Sequence, residues 1–209
     1  MGVIKRGLLG GFSGRVGNIV GSSWKGIAII KSLPLSVANP RTTGQTTQRT
    51  KFSTVVDLAS NILSQFIKPL WDRFASQMSG YNAFTSVNVK LIDPTNSNPI
   101  VGLVASQGKI PALRGLTFTP NLVAGTVLVE WDTDLQGSYE RADDIILGFA
   151  KSESDQLFAF MPSGVVRSDG SATMTFPDTL RDPNTMAGAV VAVSADGFHA
   201  GADLCKQIG

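Results

Sequence analysis

The residues able to carry catalysis or hold a metal are few, and their spacing builds no centre. His199 is the only histidine and Cys205 the only cysteine of the 209-residue chain. A lone imidazole cannot assemble a multi-histidine metal site. A serine–histidine–aspartate relay is formally possible, but no serine stands in a strained strand-to-helix elbow. His199, in Asp196-Gly197-Phe198-His199-Ala200-Gly201, is therefore expected to be a turn or contact residue. Cys205 makes neither an intrachain disulfide nor a zinc site, and is expected to be a small apolar residue near a strand end. Asp143-Asp144 and Asp132-Thr133-Asp134 pair acids, but a calcium loop spaces its acids around a glycine and ends on a glutamate. Both pairs are expected in solvated loops or strand edges. Gly11, Gly14 and Gly17 recur at intervals of three, which is not the dinucleotide fingerprint, and no Gly-Lys-Ser/Thr follows. Those glycines are expected to let backbones approach closely. The chemistry thus predicts a protein that is not an enzyme, with no cofactor, no metal and no small-molecule substrate.

The elements around these residues fall into three stretches. Residues 1–40 are rich in glycine and β-branched residues and read as an extended arm with a β-hairpin. Its strands are Val16–Gly21 and Trp24–Ile30, turning at Gly21-Ser22-Ser23. Such a hairpin has little core of its own. Pro34 and Pro40 bracket a linker. Residues 41–92 read as a helical hairpin. Thr42 or Thr43 caps a helix whose stripe is Phe52, Val55, Val56, Ala59, Ile62, Leu63, Phe66 and Ile67. Pro69 stops it and opens a second helix, with Leu70, Trp71, Phe74, Ala75 and Met78 apolar and Gly80 ending or kinking it. Tyr81, Phe84 and Val87 continue the helical spacing. Residues 93–209 switch to short β-runs: Val101–Gln107, Thr126–Trp131, Asp144–Ala150, Gln156–Met161, Ser171–Phe176 and Ala189–Ala195. That spacing predicts an immunoglobulin-like or fibronectin-like β-sandwich, with Trp131 in its core. The fold class expected is α+β, mostly β.

Charge divides the chain differently. The first 56 residues carry no acid and eight cations: Lys5, Arg6, Arg15, Lys25, Lys31, Arg41, Arg49 and Lys51. All sixteen acids begin at Asp57, against ten cations there, so a +8 arm joins a −6 body and the net charge is +2. Charged residues are only 16% of the chain, a depletion that interfaces share. Eight unopposed cations attract phosphate, and Phe12 and Trp24 are able to stack on bases. The cations alternate with isoleucine, valine and leucine, however, unlike dense packaging tails. The favoured expectation is a strand laid on a neighbouring subunit, with Phe12, Arg15, Trp24, Lys25, Lys31, Arg41 and Arg49 in the contact. No run has the length or charge pattern of a signal core or membrane span, so a cytoplasmic origin without membrane insertion is expected.

Gly11 to Gly26, reading Gly-Phe-Ser-Gly-Arg-Val-Gly-Asn-Ile-Val-Gly-Ser-Ser-Trp-Lys-Gly, resembles the opening signature of a family found in Bacteroidota genomes and their phages and prophages. The resemblance continues through Asn39-Pro40-Arg41-Thr42, the Gln45…Arg49…Phe52 helix and Tyr81-Asn82-Ala83-Phe84, and is loose beyond residue 100. That family carries no established activity and brings no catalytic residues. It implies a host lineage and a virion or prophage-encoded protein. The expectation is a phage structural protein located in the virion, at the capsid, portal–tail region or tail, with itself and other virion proteins as partners. Nucleic acid is the second partner considered, and a bacterial surface or adhesion module the third reading.

Overall fold

The computed structural model describes residues 3–4, 11–36, 39–73, 75–93, 95–96, 98–197 and 199–208. Lys5, Arg6 and the expected hairpin residue Phe74 lie outside them. The chain is α+β and mostly β, and divides into two compact units, residues 1–42 and 43–209.

The first unit is an antiparallel sheet in the order β1-β2-β3-β4. Its strands are β1 Val3–Ile4, β2 Phe12–Val16, β3 Ile19–Trp24 and β4 Ile27–Ser32. Turns fall at Gly17-Asn18 and Lys25-Gly26, not at the expected Gly21-Ser22-Ser23, which lies inside β3. Gly17 at φ 55°, Lys25 at 47° and Gly26 at 83° take the left-handed backbone that two-residue hairpin turns need.

In the second unit, α1 (Thr43–Asn61) leads through a π-helical turn at Leu63–Ile67 into α2 (Lys68–Trp71). The stripe predicted an unbroken helix to Ile67. Pro69 explains the difference: it has no N–H for the carbonyl of Gln65, and the ladder widens just before it, with Ile67 N donating to Ile62 O. Gly80 does not end the second helix but starts α3 (Gly80–Asn88), capped by the Ser79 hydroxyl. The remaining strands are β5 Val104–Ser106, β6 Thr117–Asn121, β7 Thr126–Glu130, β8 Ile145–Ser152, β9 Leu157–Phe160, β10 Ser171–Thr175, β11 Met186–Val193, β12 Asp203–Leu204 and β13 Lys206–Ile208.

They form sheets β13-β11-β8-β9 and β10-β7-β6, with β12-β5 as a short pair. The first sheet is the middle layer. All eight residues of β11 are buried, because alternate side chains enter opposite cores. Ala187, Ala189, Val191 and Val193 join Phe149 against Val55, Leu58, Ile62, Phe66, Trp71 and Phe84 of the helices. Met186, Val190 and Ala192 join Ile146 and Ala150 against Val127, Val129, Trp131 and Met174 of the other sheet. Full burial of side chains of this size stabilises by about 1.5–3 kcal/mol each. Asn88 ties the helices to β5: its side chain accepts from Val104 N at 2.8 Å and donates to Val104 O at 3.0 Å.

Candidate functional site

The N-terminal sheet gathers most of the predicted contact residues. Pairing joins Trp24 to Ile27, Ser22 to Ile29 and Val20 to Lys31, while Arg15 pairs with Val20. Side chains alternate, so Arg15, Val20, Ser22, Trp24, Ile27, Ile29 and Lys31 share one face. Arg15, Val20 and Lys31 form a single cross-strand row. The Lys25 ammonium lies 5.0 Å from the centre of the Trp24 ring. Arg15 also donates from Nε to Gly17 O at 3.1 Å, bracing the neighbouring turn.

The opposite face holds Phe12, Val16, Ile19, Ala28 and Ile30 and no charged side chain from β2, β3 or β4. Phe12 crosses directly over Gly21. A Cβ there would meet the Phe12 ring at 2.6 Å and its carbonyl at 2.2 Å, so only glycine allows the crossing. This contact makes Gly21 the one buried residue of β2–β4. Gly11 lies against Ala28 on the same face, but large apolar side chains stand exposed on both faces: Trp24 is 62% exposed, Ile27 60%, Ile30 63% and Val16 49%. A sheet apolar on both sides is the pattern of strands covered on both sides.

The structure therefore brings Arg15, Trp24, Lys25 and Lys31 together and sets Phe12 on the other face. Arg41 lies between the sheet and α1, and Arg49 on α1 of the second unit. Arg49 shares a helix face with Gln45, Gln48, Phe52 and Val56, and Phe52 is 54% exposed. The polar half of α1 is exposed and satisfies its hydroxyls internally. Thr47 donates to Thr43 O at 2.9 Å, Thr50 to Thr46 O at 3.1 Å and Thr54 to Thr50 O at 3.0 Å.

In the second unit Ser194, Asp196 and His199 share one loop without forming a relay. The Ser194 hydroxyl donates to Asp196 Oδ1 at 2.5 Å and accepts from His199 backbone N at 2.9 Å. The His199 ring instead meets Tyr139 edge-on at 5.1 Å. Burial pushes the Cys205 thiol up to about 12, so the thiolate is absent near neutral pH. No group of three or more His, Cys, Asp or Glu is arranged to hold a metal among the described residues, and no helix among them is long and apolar enough to cross a membrane.

One polar cluster was missed by sequence reasoning. Arg114 grips Glu140 with two bonds of 2.9 Å, while Gln136 N and Gly137 N donate to Glu140 Oε2 at 2.7 and 2.9 Å. Arg167 Nε reaches Asp144 Oδ2 at 3.2 Å, and its Nη1 lies 3.8 Å from Glu140. Glu140, Asp144 and Arg167 are buried. Asp144 is thus no solvated acid, as the paired aspartates suggested: its charge is covered because Arg167 is buried beside it. The Arg114 hydrogen bond is the main reason the Glu140 carboxyl titrates at about 2, against the opposing effect of burial; the two backbone donors add to it. The cluster holds the 132–144 loop to the body.

The chain matches the model of a family of unknown function, DUF6266, over residues 11–203, and belongs to that family. The match spans both units, including the β-rich region where the opening motifs gave least guidance. No curated protein and no solved structure matches it.

Proposed function

We propose that the chain is a non-enzymatic structural protein of a bacteriophage or prophage particle, assembled in multiple copies through its basic N-terminal arm. The observation that carries this reading is the N-terminal sheet, whose large apolar side chains stand exposed on both faces. One neighbour covers one face, so two open apolar faces call for more than one covering surface. The cations of that sheet and the acids of residues 57–209 supply opposite charges for contacts between copies. The immunoglobulin-like character of the body belongs to the same proposal. It is supported by two antiparallel sheets closed over a common core that contains Trp131. The Bacteroidota lineage and the virion location rest on the resemblance carried by the opening motifs. Removing residues 1–40 tests the reading. The remaining body should fold and fail to enter particles; normal incorporation would overturn it.

A second reading, nucleic-acid binding for a mobile element, is favoured by Trp24 sharing one face with Arg15, Lys25 and Lys31. Titration against duplex and single-stranded DNA at several salt concentrations decides it. Binding at micromolar concentration or tighter, with a steep salt slope, supports it; absence of binding removes it.

A further inference from the structure

Among the described residues, the outer edge of β4 carries backbone groups with no partner strand. Trp24 and Ile27 close the turn Lys25-Gly26, and a two-residue turn is closed by a hydrogen-bonded pair. Ile27, Ile29 and Lys31 therefore bond to β3, and Leu33 N donating to Asn18 O at 2.7 Å continues the same parity. Ala28, Ile30 and Ser32 turn their N–H and C=O groups the other way. Among the described residues no strand pairs with that side. Exposed edges are ordinarily guarded by proline, an inward charge, a bulge or extreme shortness. Ile27-Ala28-Ile29-Ile30 has none of these; Lys31, near the end of β4, is the strand's one charge, and Pro34 comes only after the strand has ended.

We propose that this edge pairs antiparallel with the same edge of a second copy, about a twofold axis at Ile29. The inference rests on the sheet being a subunit contact and names the partner surface. With the axis there, the two Ile29 side chains meet, and each Ala28 lies opposite an Ile30, small against large. Each Ala28–Ile30 pair exchanges both backbone bonds. Lys31 comes opposite Ile27, which holds the two Lys31 residues about 14 Å apart, four residues at ~3.4 Å, beyond the ~10 Å screening length of 0.1 M salt. An axis at Ile30 would instead set Ile29 against Lys31 and Ala28 against Ser32. A six-residue edge alone falls short of the ~800 Å² per partner of a standard interface. The joined sheet sets Trp24 and Ile27 of both copies along one face and Ile19 and Ile30 along the other, which leaves a larger apolar surface for further subunits to cover. The strands brought together carry cations and no acids, so added salt should strengthen this contact. A contact with acidic protein surface or with nucleic acid weakens instead.

Disulfide trapping in the full-length chain tests the pairing. At the axis Ile29 occupies a non-hydrogen-bonded position, where opposed Cα atoms lie about 4.5 Å apart, within disulfide reach. Cys205 is buried and does not compete. Under mild oxidation Ile29→Cys should form covalent dimer roughly tenfold faster than Leu35→Cys, which is fully exposed but outside the strand. Raising salt from ~20 to ~300 mM should speed the Ile29→Cys reaction. Adding Ile30→Pro should suppress it, because that N–H points to the free edge and the β3–β4 pairing stays intact. Equal rates for Ile29→Cys and Leu35→Cys, or slowing with salt, overturn the proposal. If trapping fails while deletion of residues 1–40 still blocks incorporation, the edge pairing is wrong and the subunit-contact reading stands. If trapping succeeds while the deleted chain incorporates normally, the particle reading is the one that fails.

Discussion

Replacing Glu140 by alanine should severely destabilise the body. The substitution removes the acceptor for both Arg114 nitrogens and for the backbone N–H groups of Gln136 and Gly137. It also leaves Arg167, 1% exposed, with Asp144 as its remaining acidic neighbour. Breaking a buried ion pair from one side costs about 3–5 kcal/mol, because the abandoned charge stays out of water. The individual bonds do not add to this figure, since members of one network are not additive. For a unit of this size the loss corresponds to a fall in melting temperature on the order of 10 °C. Urea unfolding followed by tryptophan fluorescence reads it as a lower midpoint at unchanged slope. Arg181→Ala is the matched control. Its ion pair with Asp155 at 3.3 Å involves a guanidinium 86% exposed, and such pairs contribute about 0–1 kcal/mol. A Glu140→Ala loss no larger than that of Arg181→Ala would refute the claim that the network secures the 132–144 loop.

Glu140 titrates at about 2 in the folded chain and near 4.5 ordinarily, so the unfolded state binds its proton more tightly. Its contribution is complete above about pH 4.5 and disappears as pH falls toward 2; Glu140→Gln should flatten the stability profile in that window. Asn88→Ala strands the Val104 N–H and should cost about 2–3 kcal/mol, read by the same urea midpoint. Gly21→Ala drives a Cβ against the Phe12 carbonyl at 2.2 Å and should abolish hydrogen-exchange protection across residues 12–32. Trp24→Ala, at a side chain 62% exposed, should change stability by less than about 0.5 kcal/mol and yet weaken assembly.

The long apolar periodicities were legible in the sequence and the short or polar devices were not. The α1 stripe identified Val55, Ala59, Ile62, Phe66 and Ile67 as core, and all are buried. It also included Phe52, which is exposed, because periodicity names a face and not what covers it. β7 was readable from its alternation. β11 was found from Ala189 onward, but its first residues, Met186-Ala187-Gly188, are too small and mixed to signal a strand. β6 was missed because Pro120 demotes a strand pattern, and β12 and β13 are too short to register. The hairpin turns were misplaced because Gly21 looks like a turn residue, whereas its glycine serves the Phe12 crossing. Glu140, Asp144 and Arg167 gave no warning of burial, since their partnership spans a loop and a strand pair far apart in the chain. The grouping of Arg15, Lys25 and Lys31 on one face depends on the true turn positions and so was equally hidden.

The most direct test of the account is to purify particles from a phage or induced prophage encoding this chain and to quantify it by mass spectrometry, alongside a version lacking residues 1–40. The account predicts the intact chain in many copies per particle and the shortened chain left in the soluble fraction. Absence of the intact chain from particles, or undiminished incorporation of the shortened one, would contradict it.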